Sequence, residues 1–219
     1  MTGEHAADAG VPMESPFLTG PTVYLRPHVA ADVEGDWFQW FNDPEVNRFL
    51  HHGVFPNTRE RQAAFLEELH GRHEARTHLQ LAIVERATGD FVGVVSLGSI
   101  DWVHRNAELA MVMRSGSQSR GIGREVAALV LNHGFMKMNL HRIWACQHVG
   151  LSWASDGLKR YFGFREEGTL REAMRRDGEY HDLLVVGLLA REWRELLDGA
   201  GETLADVLPA AARPIGGRR

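Results

Sequence analysis

Cysteine is nearly missing from this 219-residue chain, with Cys146 its only example. A single thiol excludes an internal disulfide and suits a reducing compartment. Set in the apolar stretch Arg142 to Val149, Cys146 reads as a small core residue rather than a nucleophile. Surplus positive charge is missing too. Lys and Arg number 24 against 29 Asp and Glu, a net charge of −5, and the basic residues are scattered. No stripe is left for a nucleic-acid backbone, so neither DNA nor RNA is expected as a partner. Long apolar runs are also absent. The longest, Leu183 to Ala190, is far too short to cross a bilayer. The first twenty residues hold no Lys or Arg and no sustained apolar stretch, which argues against a secretory signal or transit peptide. These absences point to a cytoplasmic protein with no membrane partner.

Histidine is plentiful at 12 residues, yet His51 and His52 are adjacent and no His/Glu pair has a ligand spacing with catalytic precedent, so no metal is expected. Periodicity fails at both ends. Met1 to Pro16 and Gly199 to Arg219 are rich in Ala, Gly, Pro and acidic residues, and they read as flexible tails on one domain spanning residues 17–198.

Within that domain, Thr22 to Arg26 alternates like a strand and Pro27 stops it. A helix is expected from Ala31 to Phe41, with Trp37, Trp40 and Phe41 on one face. A second begins at a capping-box-like Asn57 with Glu60 and reaches Arg76. Leu79 to Glu85 and Phe91 to Ile100 form a hairpin through Gly89-Asp90, and Ala107 to Arg114 extends the sheet. A helix from Gly123 to Met138 then leads to a strand from Arg142 to Val149. That strand must run parallel to its predecessor across the helical crossover. A helix from Ser152 to Phe162 and two strands turning at Asp177-Gly178 complete the order β-α-α-β-β-β-α-β-α-β-β.

The most telling stretch is Gln118-Ser119-Arg120-Gly121-Ile122-Gly123, at the junction of a strand with a helix. The first turn of a helix offers unpaired N–H groups and a positive dipole end, and glycines let an anion approach the main chain. A P-loop would need Lys and Ser/Thr where Ile122 and Gly123 stand. A dinucleotide fingerprint would need Gly or Ala at Val126 and a place near the start of a βαβ unit. What remains is Gln/Arg-x-x-Gly-x-Gly/Ala.

With that motif the chain resembles the GNAT superfamily of N-acetyltransferases, over most of its length from Phe17 to Leu197. The resemblance is nearest to the branch of ribosomal-protein N-terminal and small-amine acetyltransferases. It also rests on Leu25-Arg26-Pro27, Trp40-Phe41-Asn42-Asp43-Pro44, Ala107-Glu108-Leu109, Asn139-Leu140-His141-Arg142, Gly163-Phe164 and Asp177-Gly178-Glu179-Tyr180-His181-Asp182. It implies an α/β fold, a mixed sheet with helices on both faces, in which the strands starting at Ala107 and Arg142 splay apart to admit the pantetheine arm of acetyl-CoA. It further implies acetyl transfer to a primary amine within a ternary complex, without metal or covalent intermediate.

By the same resemblance, the backbone from Gln118 and Ser119 through Arg120, Gly121, Ile122 and Gly123 to Arg124 cradles the cofactor pyrophosphate. The main chain at Met113 meets the thioester carbonyl. Glu108, in a strand otherwise apolar from Leu109 to Met113 and read as buried on both faces, binds the acceptor ammonium and relays its proton; a salt bridge with Arg105 or Arg114 is the plainer alternative. Ser152 stands where relatives carry Asn for the cofactor, and Lys159 where they carry a Tyr that protonates the leaving thiolate. A thiol of pKa near about 8.5 can leave without a strong acid, so water or Lys159 could supply that proton. Trp40, Glu108 and Tyr180 are the expected acceptor contacts. A protein N-terminus, an amino sugar, a polyamine and an antibiotic amine all remain open as acceptors, as do a homodimer and an acyl-CoA sensor that has lost catalysis.

Overall fold

Alternation and turn chemistry lay out the sheet before any tertiary contact is considered. Val23 and Leu25 are fully buried while Tyr24 and Arg26 are not, the period of two of a half-covered strand. Asp177 and Gly178 both hold positive φ, 50° and 89°, the requirement of the tightest hairpin turn and the reason for Asp-Gly there. The computed structural model describes residues 15–50, 53–117 and 121–200. The two expected tails fall almost wholly outside the described residues, and Gly199 and Ala200 end a helix instead.

The strands are β1 (Leu18–Thr19), β2 (Val23–Arg26), β3 (Leu79–Glu85), β4 (Phe91–Asp101), β5 (Asn106–Met113), β6 (Arg142–His148), β7 (Arg165–Arg176) and β8 (Glu179–Leu189). They form one sheet in the order β1-β2-β3-β4-β5-β6-β8-β7, and only the β5/β6 pair is parallel. The helices are α1 (Ala30–Glu34), α2 (Trp37–Trp40), α3 (Pro44–Asn47), α4 (Arg59–Glu74), α5 (Ile122–Met136), α6 (Ser152–Phe162) and α7 (Ala190–Ala200), with a 3-10 turn at Val149–Leu151. The α/β fold and every expected element are present. The expected helix from Ala31 to Phe41 is two short ones, broken at Gly35-Asp36. Helix α4 starts one residue later than Asn57 suggested, because Thr58 is its cap and Thr58 Oγ1 accepts from Arg61 N at 3.2 Å.

Two cores lie on opposite faces. The larger packs α5 and α7, through Val126, Leu129, Val130 and Trp193, onto the odd-numbered residues of β5 and β6: Ala107, Leu109, Met113, Ile143 and Ala145. Fully burying one such aliphatic side chain is worth about 1.5–3 kcal/mol. The smaller core packs α1, α2 and α4, through Val33, Trp37, Trp40, Leu66 and Leu69, onto Val94, with Phe91 and Val112 beside them. It takes no residue from β6, β7 or β8. Among the described residues the second core therefore stops at β5.

Candidate active site

Parallel pairing between β5 and β6 runs Asn106↔Arg142, Ala107↔Ile143, Glu108↔Trp144 and stops there. Beyond Glu108 the strands part, as expected, and a gap opens between Leu109–Met113 and Ala145–His148. Backbone groups face into it. Arg114 N–H donates to Val92 O at 2.9 Å on the β4 side, and residues of an antiparallel ladder alternate between bonded and non-bonded pairs. Met113, one residue back and opposite Gly93, therefore directs its own N–H and C=O to the other edge, into the gap.

At the mouth of the gap α5 begins. Its N-cap is Gly121 at φ +75°, a left-handed geometry that favours glycine and brings no capping side chain of its own. A Cβ on Gly121 would meet nothing within 4 Å, and one on Gly123 would meet only Met111 Sδ at 3.7 Å. Among the described residues, little stands beside these two glycines, as an anion cradle needs. Arg124 N–H already donates to Gly121 O at 3.1 Å, so the described part of the cradle is Gly121, Ile122 and Gly123 without Arg124. Gln118, Ser119 and Arg120 lie outside the described residues. The Arg124 guanidinium stacks instead on Tyr161 of α6, 5.0 Å from the ring centroid.

Strand alternation gives the gap two dissimilar sides. On the α5 side lie Met111, Met113, Ala145 and Gln147. The side-chain nitrogen of Gln147 is buried and has no hydrogen-bond partner among the described residues, which leaves a donor to spare on this side. Only its place past the parting of β6 could have marked this residue in the sequence. On the other side lie Glu108, Ala110 and Val112 of β5 with Trp144, Cys146 and His148 of β6. Glu108 is half-buried and Ala110 exposed, so the Glu108 end of β5 is open on this face, where burial on both faces is expected, while Val112 meets the smaller core. Cys146 is half-buried on this uncovered side rather than a core residue. Burial, with the Glu108 carboxylate nearby, raises its thiol pKa and leaves it a poor nucleophile.

His148 ends β6 on this same side. Its Nδ1 accepts from Gly150 N–H at 2.8 Å, and its ring lies 5.1 Å from Phe49 and 4.8 Å from His181. Burial, and secondarily His181, lowers its pKa.

The other expected residues scatter. Trp40 is 4% exposed and tilted against Phe91 at 4.9 Å, a core residue of the second layer rather than an acceptor contact, because α2 turns it onto the sheet. Tyr180 is 60% exposed near the β7/β8 turn, with the Arg175 guanidinium 5.8 Å from its ring. Lys159 pairs with Asp156 at 3.2 Å and Glu166 at 3.9 Å, all three partly exposed, which ties it to surface acids. Ser152 opens α6. Among the described residues no group of three or more His, Cys, Asp or Glu could hold a metal ion, and no helix is long and apolar enough to cross a membrane.

Residues 22–150 match the model of the acetyltransferase (GNAT) domain. The chain belongs to the GNAT acetyltransferase family. A relative described as a putative ribosomal N-acetyltransferase, YdaF of Bacillus subtilis, is 31% identical over 105 residues, 48% of this chain and 57% of that protein. Spermidine N(1)-acetyltransferase of Vibrio cholerae is 32% identical over 119 residues, 54% of this chain and 68% of that protein. Among solved structures, Mycobacterium smegmatis RimJ in complex with CoA-disulfide aligns with a TM-score of 0.73 at 23% identity, over 87% of this chain and 90% of that one. The Vibrio cholerae spermidine acetyltransferase with CoA and spermine aligns at 0.69, also at 23% identity, over 79% and 98%. At that identity the two structures establish the fold, which in both carries CoA.

Proposed function

We propose that this GNAT protein transfers an acetyl group from acetyl-CoA to a primary amine, by direct attack while both substrates are bound. One observation carries the reading: the β5/β6 gap runs from a half-buried carboxylate, past the inward-facing amide of Met113, to the glycine-led start of α5. The main chain of Gly121, Ile122 and Gly123, completed by Gln118, Ser119 and Arg120, holds the pyrophosphate. Gln147 and β5 hold the pantetheine arm, and Ser152 borders it. Bound acetyl-CoA supplies an activated acyl group and a thiol that leaves readily.

The protein's own contribution is positioning and proton handling. Met113 N–H donates to the acyl oxygen, where negative charge develops. Holding both reactants in one slot supplies much of the rate. Glu108 attracts the acceptor ammonium and takes its proton through water, so that a neutral amine attacks. Lys159, paired with two carboxylates, is at most a helper. The working unit is the expected domain carried to the end of α7, residues 17–200, in a cytoplasmic setting, with 1–16 and 201–219 dispensable.

The test is to measure free CoA release by the full chain with N-terminal peptides, amino sugars and polyamines, beside acetyl-CoA binding by calorimetry. Release with one class supports the reading. Tight acetyl-CoA binding without release across the panel would make the chain a sensor instead, and absent binding would end both readings.

A further inference from the structure

His148 is not used by that scheme, although the fold has built a holder for it. It lies on the acceptor side of the gap, four residues past Trp144, the last residue of β6 still paired with β5. Carrying the Glu108↔Trp144 register forward sets it level with Val112 across the gap, about 13 Å along the strand from Glu108. Three neighbours fix the ring: Phe49 from the segment between α3 and α4, His181 from β8, and Gly150 from the 3-10 turn. The holder closes only because residue 150 is glycine. A Cβ there would lie 2.9 Å from both His148 Nδ1 and Phe49 Cε1.

The Gly150 N–H also decides the chemistry. It donates to Nδ1, so Nδ1 carries the lone pair and the proton of the neutral ring sits on Nε2. Burial and the neighbouring His181 both disfavour the imidazolium, in agreement with that geometry. In this state the ring cannot take a proton at Nε2; there it can only donate a hydrogen bond. Among the described residues its titratable contact is His181, while Cys146 and, farther along, Glu108 share its face of the sheet; Arg48 lies 5.3 Å over the Phe49 ring, and Arg176 donates to Leu50 O at 2.9 Å and pairs with Asp177 at 3.8 Å. Two guanidiniums thus flank the Phe49–Leu50 segment that helps hold the ring.

We propose that His148 is the specificity-determining donor of the acceptor groove, its Nε2–H hydrogen-bonding an oxygen that the acceptor carries close to its amine. The favoured class is an amine flanked by a neutral oxygen, as in the α-amino amide of a peptide N-terminus or the amino alcohol of an amino sugar. An alkyl polyamine offers only further cations to this donor and to the arginines beside it. The inference rests on the proposed acetyltransferase reading and names the acceptor class for that same site.

The test compares wild type, His148→Phe and His148→Gln with three acceptors: a short N-terminal peptide, glucosamine and spermidine. Losing one hydrogen bond to a bound neutral group should raise KM for the oxygen-bearing acceptor about tenfold in His148→Phe. His148→Gln keeps a donor near the Nε2 position and should stay within about threefold of wild type. Spermidine turnover should be slow in all three proteins and insensitive to the substitution, and acetyl-CoA affinity should not change. Whichever of peptide or glucosamine responds identifies the source of the oxygen. Equal losses for all acceptors, no loss for any, or a wild-type preference for spermidine would overturn the proposal. An independent readout is the side-chain nitrogen NMR spectrum of His148 in the protein without substrates. A protonated Nε2 with a bare Nδ1 is expected near neutral pH, and an imidazolium or the opposite tautomer would refute the role. That spectrum stands apart from acetyl transfer, so failure of the broader reading would show separately, as absent acetyl-CoA binding.

Discussion

The two sides of the β5/β6 gap differ in what covers them. On the α5 side, Ala107, Leu109, Met113, Ile143 and Ala145 are locked into the main core, and the gap is lined by main chain, methionine and one amide. On the other side, α1, α2 and α4 close over β2 to β5 only, leaving Glu108, Cys146 and His148 in an open half. A rigid side built from backbone suits a guest that is always the same. A loosely covered side, built from titratable side chains between loops, is where acceptors can differ between relatives, and the relatives' names do range from ribosomal proteins to spermidine.

If the closed half is held by packing and the open half by function, substitutions should separate them. Trp37, 1% exposed and stacked on His28 at 4.5 Å, belongs to the closed half. Trp37→Ala should lower unfolding free energy by about 3–5 kcal/mol, read as a denaturant midpoint shift. Glu108→Gln should leave that midpoint nearly unchanged while turnover drops about a hundredfold and acetyl-CoA affinity stays the same. A wild-type rate and pH profile in Glu108→Gln would make Glu108 structural and weaken the comparison.

Acid should also act on the closed half first. Burial lowers the pKa of His28, His73 and His78 below the usual 6.5. The unfolded chain then takes up protons that the folded protein resists, so stability is lost as pH falls through 6.5 toward the folded-state values. Asp32, bonded to the Arg26 guanidinium at 2.6 and 2.8 Å, is shifted well below the usual carboxylate range, so its stabilising effect persists to lower pH. Tm should be lower at pH 5 than at pH 7, and the drop should shrink in His28→Phe. The smallest effect is expected at Lys159. Partly exposed ion pairs contribute little, so Lys159→Ala should change turnover by no more than about threefold. A dead Lys159→Ala that still binds both substrates would return the proton-donor role to it.

How much of this was legible in the sequence follows from what each signal depends on. The hairpins at Gly89-Asp90 and Asp177-Gly178, the βαβ crossover and the glycine cradle rest on local backbone chemistry and could be read directly. Helix α7 was missed because Trp193, fully buried, anchors it through tertiary packing. Trp40 packs in the core where an acceptor contact is expected, because aromatic residues on a helix face carry no mark of what they will meet. Cys146 and Glu108 were read as buried on the apolarity of their strands; their half-open setting depends on where the second layer stops, and no local pattern encodes that. His148 stayed invisible for a further reason: its holder comes from Phe49, Gly150 and His181, which meet only in the fold.

The central claim is that the gap ends in an anion cradle at the start of α5. Acetyl-CoA titration of Gly123→Val against wild type tests it most directly, because a Cβ at residue 123 meets only Met111 Sδ at 3.7 Å and the fold should survive. Gly121→Val is the poorer probe, since φ +75° would strain any branched residue. The account predicts a folded Gly123→Val protein with acetyl-CoA affinity lowered at least about a hundredfold, as the added methyls occupy the phosphate position. A folded Gly123→Val protein that binds acetyl-CoA as tightly as wild type would contradict it.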